Sequence, residues 1–171
     1  MSLQIKLLLS LIFFTAVGQI KAQEIDQYMM DTLRNREVLI DFVTREGLQS
    51  GEFASYYESE YADYEVDGSV VSKLKANQDG LEIVIVLASW CHDSKIQVPR
   101  FLKLLDTLAF SEEQLLMIAV DSYKNARTLD IHSYEIERVP TFIFYRNGTE
   151  LGRIIESPDT SLEADMLRIL Q

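Results

Sequence analysis

Two short aliphatic runs, 81–88 and 115–120, constrain the fold of this chain more than any other feature of its sequence. Both runs are nearly continuous in apolar side chains and contain many β-branched residues. They lack the polar alternation of a strand that has one face in water. The pattern therefore predicts two β-strands that are buried on both faces of a sheet.

Helical patterns alternate with these strands. Apolar residues recur at helical spacing in four segments: 69–77, 94–108, 126–134 and 161–170. Asn147-Gly148, a strong two-residue turn signal, joins two further strands at 141–145 and 151–155 into a hairpin. Because buried strands alternate with helices, we expect an α/β fold with a central mixed sheet and helices on both faces.

The segment that precedes these elements also reads as helical. Apolar residues between Glu24 and Tyr64 recur near the helical period, and Gly47 and Gly51 divide the segment. Four aromatic residues lie at spacings of four, four and three, which places them on one helical face: Phe53, Tyr57, Tyr61 and Tyr64. This face either packs on the core of the domain or forms a peptide-binding platform.

The first 22 residues have the pattern of a secretory signal. Lys6 gives a positive start, an apolar run follows at 7–18, and Ala22 supplies a small residue for cleavage. The run is short for a membrane span of about 20 residues, although an uncleaved anchor is the alternative. We expect a secreted or periplasmic mature protein with no membrane segment.

Charge and cysteine content exclude several functions. Lys and Arg total 16 and Asp and Glu total 27, a net charge of −11, so no basic surface is expected for nucleic acid. The one cysteine, Cys91, excludes an internal disulfide and any zinc site built from several thiolates. Cys91, His92 and Asp93 lack the spacing of metal ligands, and we expect neither a metal nor another cofactor.

Cys91 is the candidate reactive residue. A buried strand runs into Trp90-Cys91 and then into a helix, which places the thiol at a helix N-terminus, where backbone N–H groups favour a thiolate. A protonated His92 acts in the same direction, Asp93 opposes it, and the Ser94 hydroxyl can donate to the sulfur. The alternative is an inert, buried cysteine.

These residues resemble the thioredoxin superfamily. The resemblance rests on the motif at 90–95, on Pro99, and on Val139-Pro140-Thr141 before the hairpin, and it covers 67–171. It implies a thioredoxin-like domain at 67–171 that follows a helical extension at 23–66. It also implies that Pro140 is cis and lies against the sulfur, while Val139 offers backbone groups to a bound peptide.

The departures from the family pattern are as informative as the matches. Ser94 stands where the second cysteine of Cys-x-x-Cys is usual, so Cys91 cannot form an internal disulfide. Ile85 and Met117 occupy the positions where the family commonly has a buried acid and a lysine. His92-Asp93 replaces the Gly-Pro of thioredoxin itself, which implies a different fit of substrate around the sulfur.

Two functions follow from this sequence. In the first, Cys91 attacks a disulfide of a protein partner and forms a mixed disulfide, which an external thiol reductant resolves; isomerase-like reshuffling also needs only one thiol. In the second, the groove formed by Trp90, Val139 and Pro140, with or without the Tyr-rich helix, binds a peptide and Cys91 is vestigial. The reactivity of Cys91 discriminates between them.

Overall fold

The computed structural model describes residues 24–171. The predicted signal segment, 1–22, lies outside the described residues. None of the helices in residues 24–171 combines the length and the apolar character that crossing a membrane requires.

Six strands and five α-helices make up the described part of the chain. The strands are β1 (Gln27–Asp31), β2 (Arg36–Phe42), β3 (Leu81–Leu87), β4 (Leu115–Ala119), β5 (Thr141–Arg146) and β6 (Thr149–Ile155). The helices are α1 (Arg45–Leu48), α2 (Ala54–Asp63), α3 (Gly68–Lys75), α4 (His92–Leu108) and α5 (Leu162–Leu170). Short 3-10 turns occur at Gly51–Phe53, Glu112–Gln114 and His132–Tyr134.

The strands form one mixed sheet in the order β1-β2-β4-β3-β5-β6. Strands β3 and β4 are parallel, and the other neighbouring pairs of this sheet are antiparallel. The two aliphatic runs of the sequence are thus the central pair, as their apolar character predicted. The hairpin of β5 and β6 turns at Asn147-Gly148, where both residues have positive φ.

Alternate residues of β3 face two separate cores. Ile83, Ile85 and Leu87 contribute to the larger core, which also contains the buried side chains of all five α-helices. Val84 and Val86 contribute to a smaller core on the opposite face. This second face is covered mainly by the segment 121–140.

The segment 121–140 differs from the prediction of an α-helix at 126–134. Only His132–Tyr134 forms a helical turn, and it is of the 3-10 type. The carboxylate of Asp41, which is 1% exposed, accepts hydrogen bonds from the backbone N–H groups of Arg127 and Thr128, both at 2.8 Å. These bonds fix the segment to β2 as a loop, a tertiary effect that overrides local propensity.

The prediction of a helical extension is wrong for its first half. Residues 24–43 form the hairpin of β1 and β2, and β2 pairs antiparallel with β4, which leaves β1 at the edge of the sheet. Asn35, with φ of 51°, lies in the turn between the two strands. A short apolar run fits a strand as well as a helix, and pairing with β4 decides between them. The second half is helical, because α2 forms where the aromatic face was predicted.

The extension packs on the domain. Phe53 and Tyr57 are buried in the larger core, and Tyr61 and Tyr64 pack against it. The Tyr64 hydroxyl also donates to the buried carboxylate of Glu163 on α5, at 2.9 Å. The aromatic face of this segment is therefore used for core packing, which leaves little of it for a peptide.

Candidate active site around Cys91

Cys91 lies at the junction between β3 and α4. It is the N-cap residue of α4, with φ of −83° and ψ of 131°, so the helix begins two residues before the predicted position. The Cys91 N–H donates to the Ala88 carbonyl at 3.0 Å, and its own carbonyl accepts from Lys95 N–H at 3.1 Å. The side chain is half-buried. The thiol is thus at a helix N-terminus and partly accessible, as the sequence indicated.

The segment before β5 comes within bonding distance of the sulfur. The Val139–Pro140 peptide bond is cis, which confirms the expectation from the resemblance. The thiol of Cys91 donates to the Val139 carbonyl oxygen with an Sγ–O distance of 3.1 Å. Val139 and Pro140 are both buried. The structure therefore brings together Cys91, Val139 and Pro140, although Cys91 and Val139 are 48 residues apart along the chain.

Ser94 occupies a different role from the one expected. Its side chain is fully buried, and its hydroxyl oxygen accepts a hydrogen bond from Ala88 N–H at 3.2 Å. Within residues 24–171 it makes no hydrogen bond to the sulfur of Cys91, so that expectation is wrong. The buried N–H of Ala88 needs a partner, and Ser94 is the group that satisfies it.

The other predicted site residues surround the thiol on its exposed side. Trp90 is half-buried, and its indole N–H donates to the Val120 carbonyl at 3.1 Å. His92 is exposed, and its ring meets the ring of Tyr56 on α2 edge-on, with the centroids 6.4 Å apart. Asp93 is half-buried in the first turn of α4. His92 therefore connects the site to the extension.

Lys95 forms a second connection, which the sequence reasoning missed. Its side chain is buried, and its ammonium lies 2.6 Å from a Glu52 carboxylate oxygen and 4.8 Å from the centre of the Tyr56 ring. The hydrogen bond from Lys95 holds the pKa of Glu52 below its ordinary value, and the positive charges of Lys95 and Arg36 act in the same direction. Nothing in the sequence around Lys95 indicates that it pairs with Glu52, which lies 43 residues earlier in the chain.

The tip of the β1–β2 hairpin forms a third connection. The guanidinium carbon of Arg34 lies 3.8 Å from the centre of the Trp90 ring, and its Nε donates to the Ser122 hydroxyl at 2.9 Å. Sequence reasoning also missed this contact, because it placed Arg34 in a helix. A cation over the face of an indole ring is a favourable electrostatic arrangement.

Asp31 fixes this tip in place. Its carboxylate is 3% exposed and accepts hydrogen bonds from the backbone N–H groups of Leu33, Arg34 and Ser122, at 2.9, 3.0 and 2.8 Å. Burial opposes ionisation, but the hydrogen bonds from Ser122, Arg34 and Leu33 outweigh it and lower the pKa of Asp31. One buried carboxylate thus joins the hairpin turn to the loop that follows β4.

We predict that Asp31→Asn lowers the free energy of unfolding by about 1–3 kcal/mol at pH 7, because the charge-assisted hydrogen bonds are weakened. A carboxylate with a lowered folded pKa stabilises the protein above its ordinary value of about 3.9, and this contribution is lost as pH falls through the folded pKa. The difference between the two proteins should therefore shrink in acid. Urea unfolding at pH 7 and pH 3 measures it, and a difference that is equal at both pH values contradicts the assignment.

A metal site needs several side chains that can bind one ion together. Within residues 24–171, no three His, Cys, Asp or Glu side chains come together in a group that could hold a metal ion.

Comparison with known proteins gives one consistent result. The thioredoxin family model matches residues 63–168, more than half of the chain. Thioredoxin H9 of Arabidopsis thaliana is 28% identical over 97 residues, which cover 56% of this chain and 65% of the relative. Thioredoxin H2-1 of Oryza sativa subsp. japonica is 32% identical over 88 residues, with coverage of 51% and 59%. The chain thus spans less than two thirds of each of these two relatives.

Solved structures give weaker similarity. A protein of unknown function from Pseudomonas aeruginosa, PA1234, has a TM-score of 0.49 at 13% identity, over 69% of this chain and 81% of that one. Oxidised mitochondrial thioredoxin 3 from Saccharomyces cerevisiae has a TM-score of 0.34 at 22% identity, over 56% of this chain and 86% of that one.

Proposed function

This chain belongs to the thioredoxin family, and on that basis we propose that it carries out thiol–disulfide exchange through the single thiol of Cys91. The observation that supports this proposal most directly is the position of the sulfur. It is partly accessible, it belongs to the N-cap residue of the 17-residue helix α4, and it lies 3.1 Å from the Val139 carbonyl oxygen. A partly accessible sulfur can reach a substrate disulfide, and its thiolate is the nucleophile in disulfide exchange.

The proposed reaction has two exchanges. The thiol of Cys91 gives up its proton to solvent and its hydrogen bond to Val139, and the thiolate attacks one sulfur of a substrate disulfide. A Cys91–substrate disulfide forms, the substrate S–S bond breaks, and the electron pair leaves with the second substrate sulfur, which takes up a proton. A second thiolate, from an external thiol or from the substrate itself, then attacks the substrate sulfur of the mixed disulfide. A new disulfide forms on that sulfur, the Cys91–substrate bond breaks, and Cys91 leaves as a thiolate.

The apolar pair Ile85 and Met117 supports a single-thiol mechanism. Both side chains are buried in the larger core, and they are direct register partners across β3 and β4. The positions where the resemblance implies an acid and a lysine are therefore adjacent in the sheet and both apolar. No proton carrier lies at these two positions to assist a resolving thiol, and Ser94 supplies none.

A peptide-binding module without exchange activity is the second candidate. It is favoured by the 3.1 Å contact between the Cys91 thiol and the Val139 carbonyl, because only the protonated thiol can donate this hydrogen bond. In that function the backbone of Val139 and the exposed ring atoms of Trp90 bind a peptide, and the sulfur remains unreactive.

The proposal extends to partners and location. The partners are protein disulfides and thiols, with an external thiol reductant to complete the cycle. The signal-like pattern at 1–22 favours a secreted or periplasmic protein, where substrate disulfides are stable.

Alkylation kinetics test the proposal. We expect Cys91 of the folded protein to react with iodoacetamide about tenfold faster at pH 7 than the free peptide of residues 88–94, which has the same neighbours but no helix. Incubation with a peptide disulfide should also give a one-to-one adduct that dithiothreitol reverses and that Cys91→Ser does not form. A rate equal to or below that of the peptide, with no adduct, supports the binding module instead.

A further inference from the structure

The hairpin tip adds a charged group to the edge of the candidate site. Arg34 is exposed, yet its guanidinium is held by the stack on Trp90 and by the hydrogen bond from its Nε to Ser122. Both supports are fixed in turn, since Trp90 bonds to Val120 and Ser122 bonds to the buried Asp31. The Arg34 side chain is therefore already partly immobilised, so it loses less conformational entropy when it binds a ligand.

The charge of Arg34 is not neutralised within the described chain. Seven of the nine arginines have a carboxylate within 4.0 Å among residues 24–171, namely Arg36, Arg45, Arg100, Arg127, Arg138, Arg153 and Arg168. Arg146 instead donates to the Asn77 carbonyl. Arg34 has no carboxylate partner there, and its two terminal nitrogens make no hydrogen bond to residues 24–171. In a chain with 27 acidic residues, an arginine beside the reactive cysteine is left free to bind an external group.

The geometry of that group defines its ligand. A guanidinium with one face on an indole ring and with Nε engaged presents its two terminal nitrogens outward, which suits a carboxylate. Trp90 immediately precedes Cys91, so Arg34 stacks on the side chain of the residue next to the candidate nucleophile. Exposed apolar side chains flank the same surface, with Leu33 and Tyr123 both 64% exposed.

We infer that Arg34 is a specificity-determining residue, which favours substrates that carry an Asp or Glu next to the reacting cysteine. This inference rests on the proposed thiol–disulfide exchange and adds a class of substrate to it. The net charge of −11 repels an acidic peptide at long range. At physiological ionic strength that repulsion is screened beyond about 8 Å, so direct contact with Arg34 decides the preference.

Two matched peptides test the inference. Each carries one cysteine as a disulfide with 2-thiopyridine, and the flanking residues are Glu in one peptide and Gln in the other. Reduced protein that attacks the peptide sulfur releases thiopyridone, whose absorbance gives the second-order rate constant. For the wild type we expect the Glu peptide to react about fivefold faster than the Gln peptide, the size of one solvent-accessible ion pair.

Variants separate charge from structure. Arg34→Gln should bring the ratio of the two rate constants to about one, and Arg34→Lys should give an intermediate ratio, because it keeps the charge but loses the planar stack. Lys75→Gln, which removes an exposed charge on α3, should keep the wild-type ratio. Raising the salt concentration should lower the ratio in the wild type and in Arg34→Lys but not in Arg34→Gln, since salt screens exposed ion pairs.

Each failure has a different meaning. If the wild type releases no thiopyridone from either peptide, the proposed exchange function fails and the inference fails with it. If both peptides react at equal rates, exchange stands and the role of Arg34 is wrong. If Arg34→Gln slows both peptides by the same factor, Arg34 acts by holding Trp90 rather than by binding a carboxylate, and the inference is again overturned.

Discussion

Ser94→Cys is expected to give this protein an internal disulfide and multiple-turnover activity that the wild type lacks. Residues 91 and 94 stand at the N-cap and in the first turn of α4, which is the spacing of a Cys-x-x-Cys motif, so we expect a sulfur at position 94 to come within disulfide reach of Cys91. The second sulfur can then resolve the mixed disulfide on Cys91. With a dithiol reductant at limiting concentration, we expect the variant to reduce a protein disulfide at least about tenfold faster than the wild type.

The gain should stay below that of a family member with the complete site, because Ile85 and Met117 provide no proton transfer for the resolving step. Ser94→Ala is the matched control, since it removes the hydroxyl bond to Ala88 without adding a thiol, and it should show no turnover. Adding Cys91→Ser to Ser94→Cys should abolish the activity. If oxidation of Ser94→Cys yields no internal disulfide, so that the oxidised and reduced samples are the same species, the prediction is wrong.

The central part of the fold was predictable because its signals are local. The aliphatic runs fixed β3 and β4, Asn147-Gly148 fixed the hairpin of β5 and β6, and the strand-to-helix junction fixed Cys91 at the start of α4. The resemblance added the cis bond at Pro140, which no local signal requires. Each of these features depends on a few adjacent residues, so one sequence was sufficient to predict them.

The remaining features depend on partners that are distant in the chain. The first half of the extension became a hairpin because β2 pairs with β4, far along the chain, as the pairing of Phe42 with Ile118 shows. The segment 121–140 became a loop because the buried Asp41 binds its backbone N–H groups. Neither the spacing of apolar residues nor the presence of one aspartate reveals such a pairing in a single sequence.

These distant contacts give the extension a role at the candidate site. Arg34 stacks on Trp90, Glu52 pairs with the buried Lys95, and Tyr56 lies against His92. Three residues of the extension thus contact three of the six residues at 90–95. The thioredoxin family model begins at residue 63, so these contacts come from a part of the chain that the family model does not match. We therefore expect the substrate preference of the proposed exchange to depend on the extension, while Cys91 itself belongs to the domain.

Phe53→Ala should show that the extension and the domain form one folding unit. Phe53 is 1% exposed and lies in the larger core together with residues of α4 and the central sheet. Removing a buried phenylalanine loses its transfer free energy and leaves a cavity, which typically costs about 3–5 kcal/mol. That is a large share of a total stability of about 5–15 kcal/mol. Leu33→Ala, in the same extension but 64% exposed, is the matched control and should change the stability by less than about 0.5 kcal/mol.

Trp90 is the single tryptophan of the chain, so its fluorescence reports unfolding at the candidate site itself. In urea, Phe53→Ala should move the midpoint of the Trp90 transition to lower concentration, in step with the loss of helix measured by circular dichroism, because two-state unfolding makes both probes coincide. An early loss of helical signal with an unchanged Trp90 midpoint means that the extension unfolds by itself. In that case its contacts with Trp90, His92 and Lys95 are too weak to hold it on the domain, and the extension does not shape the site.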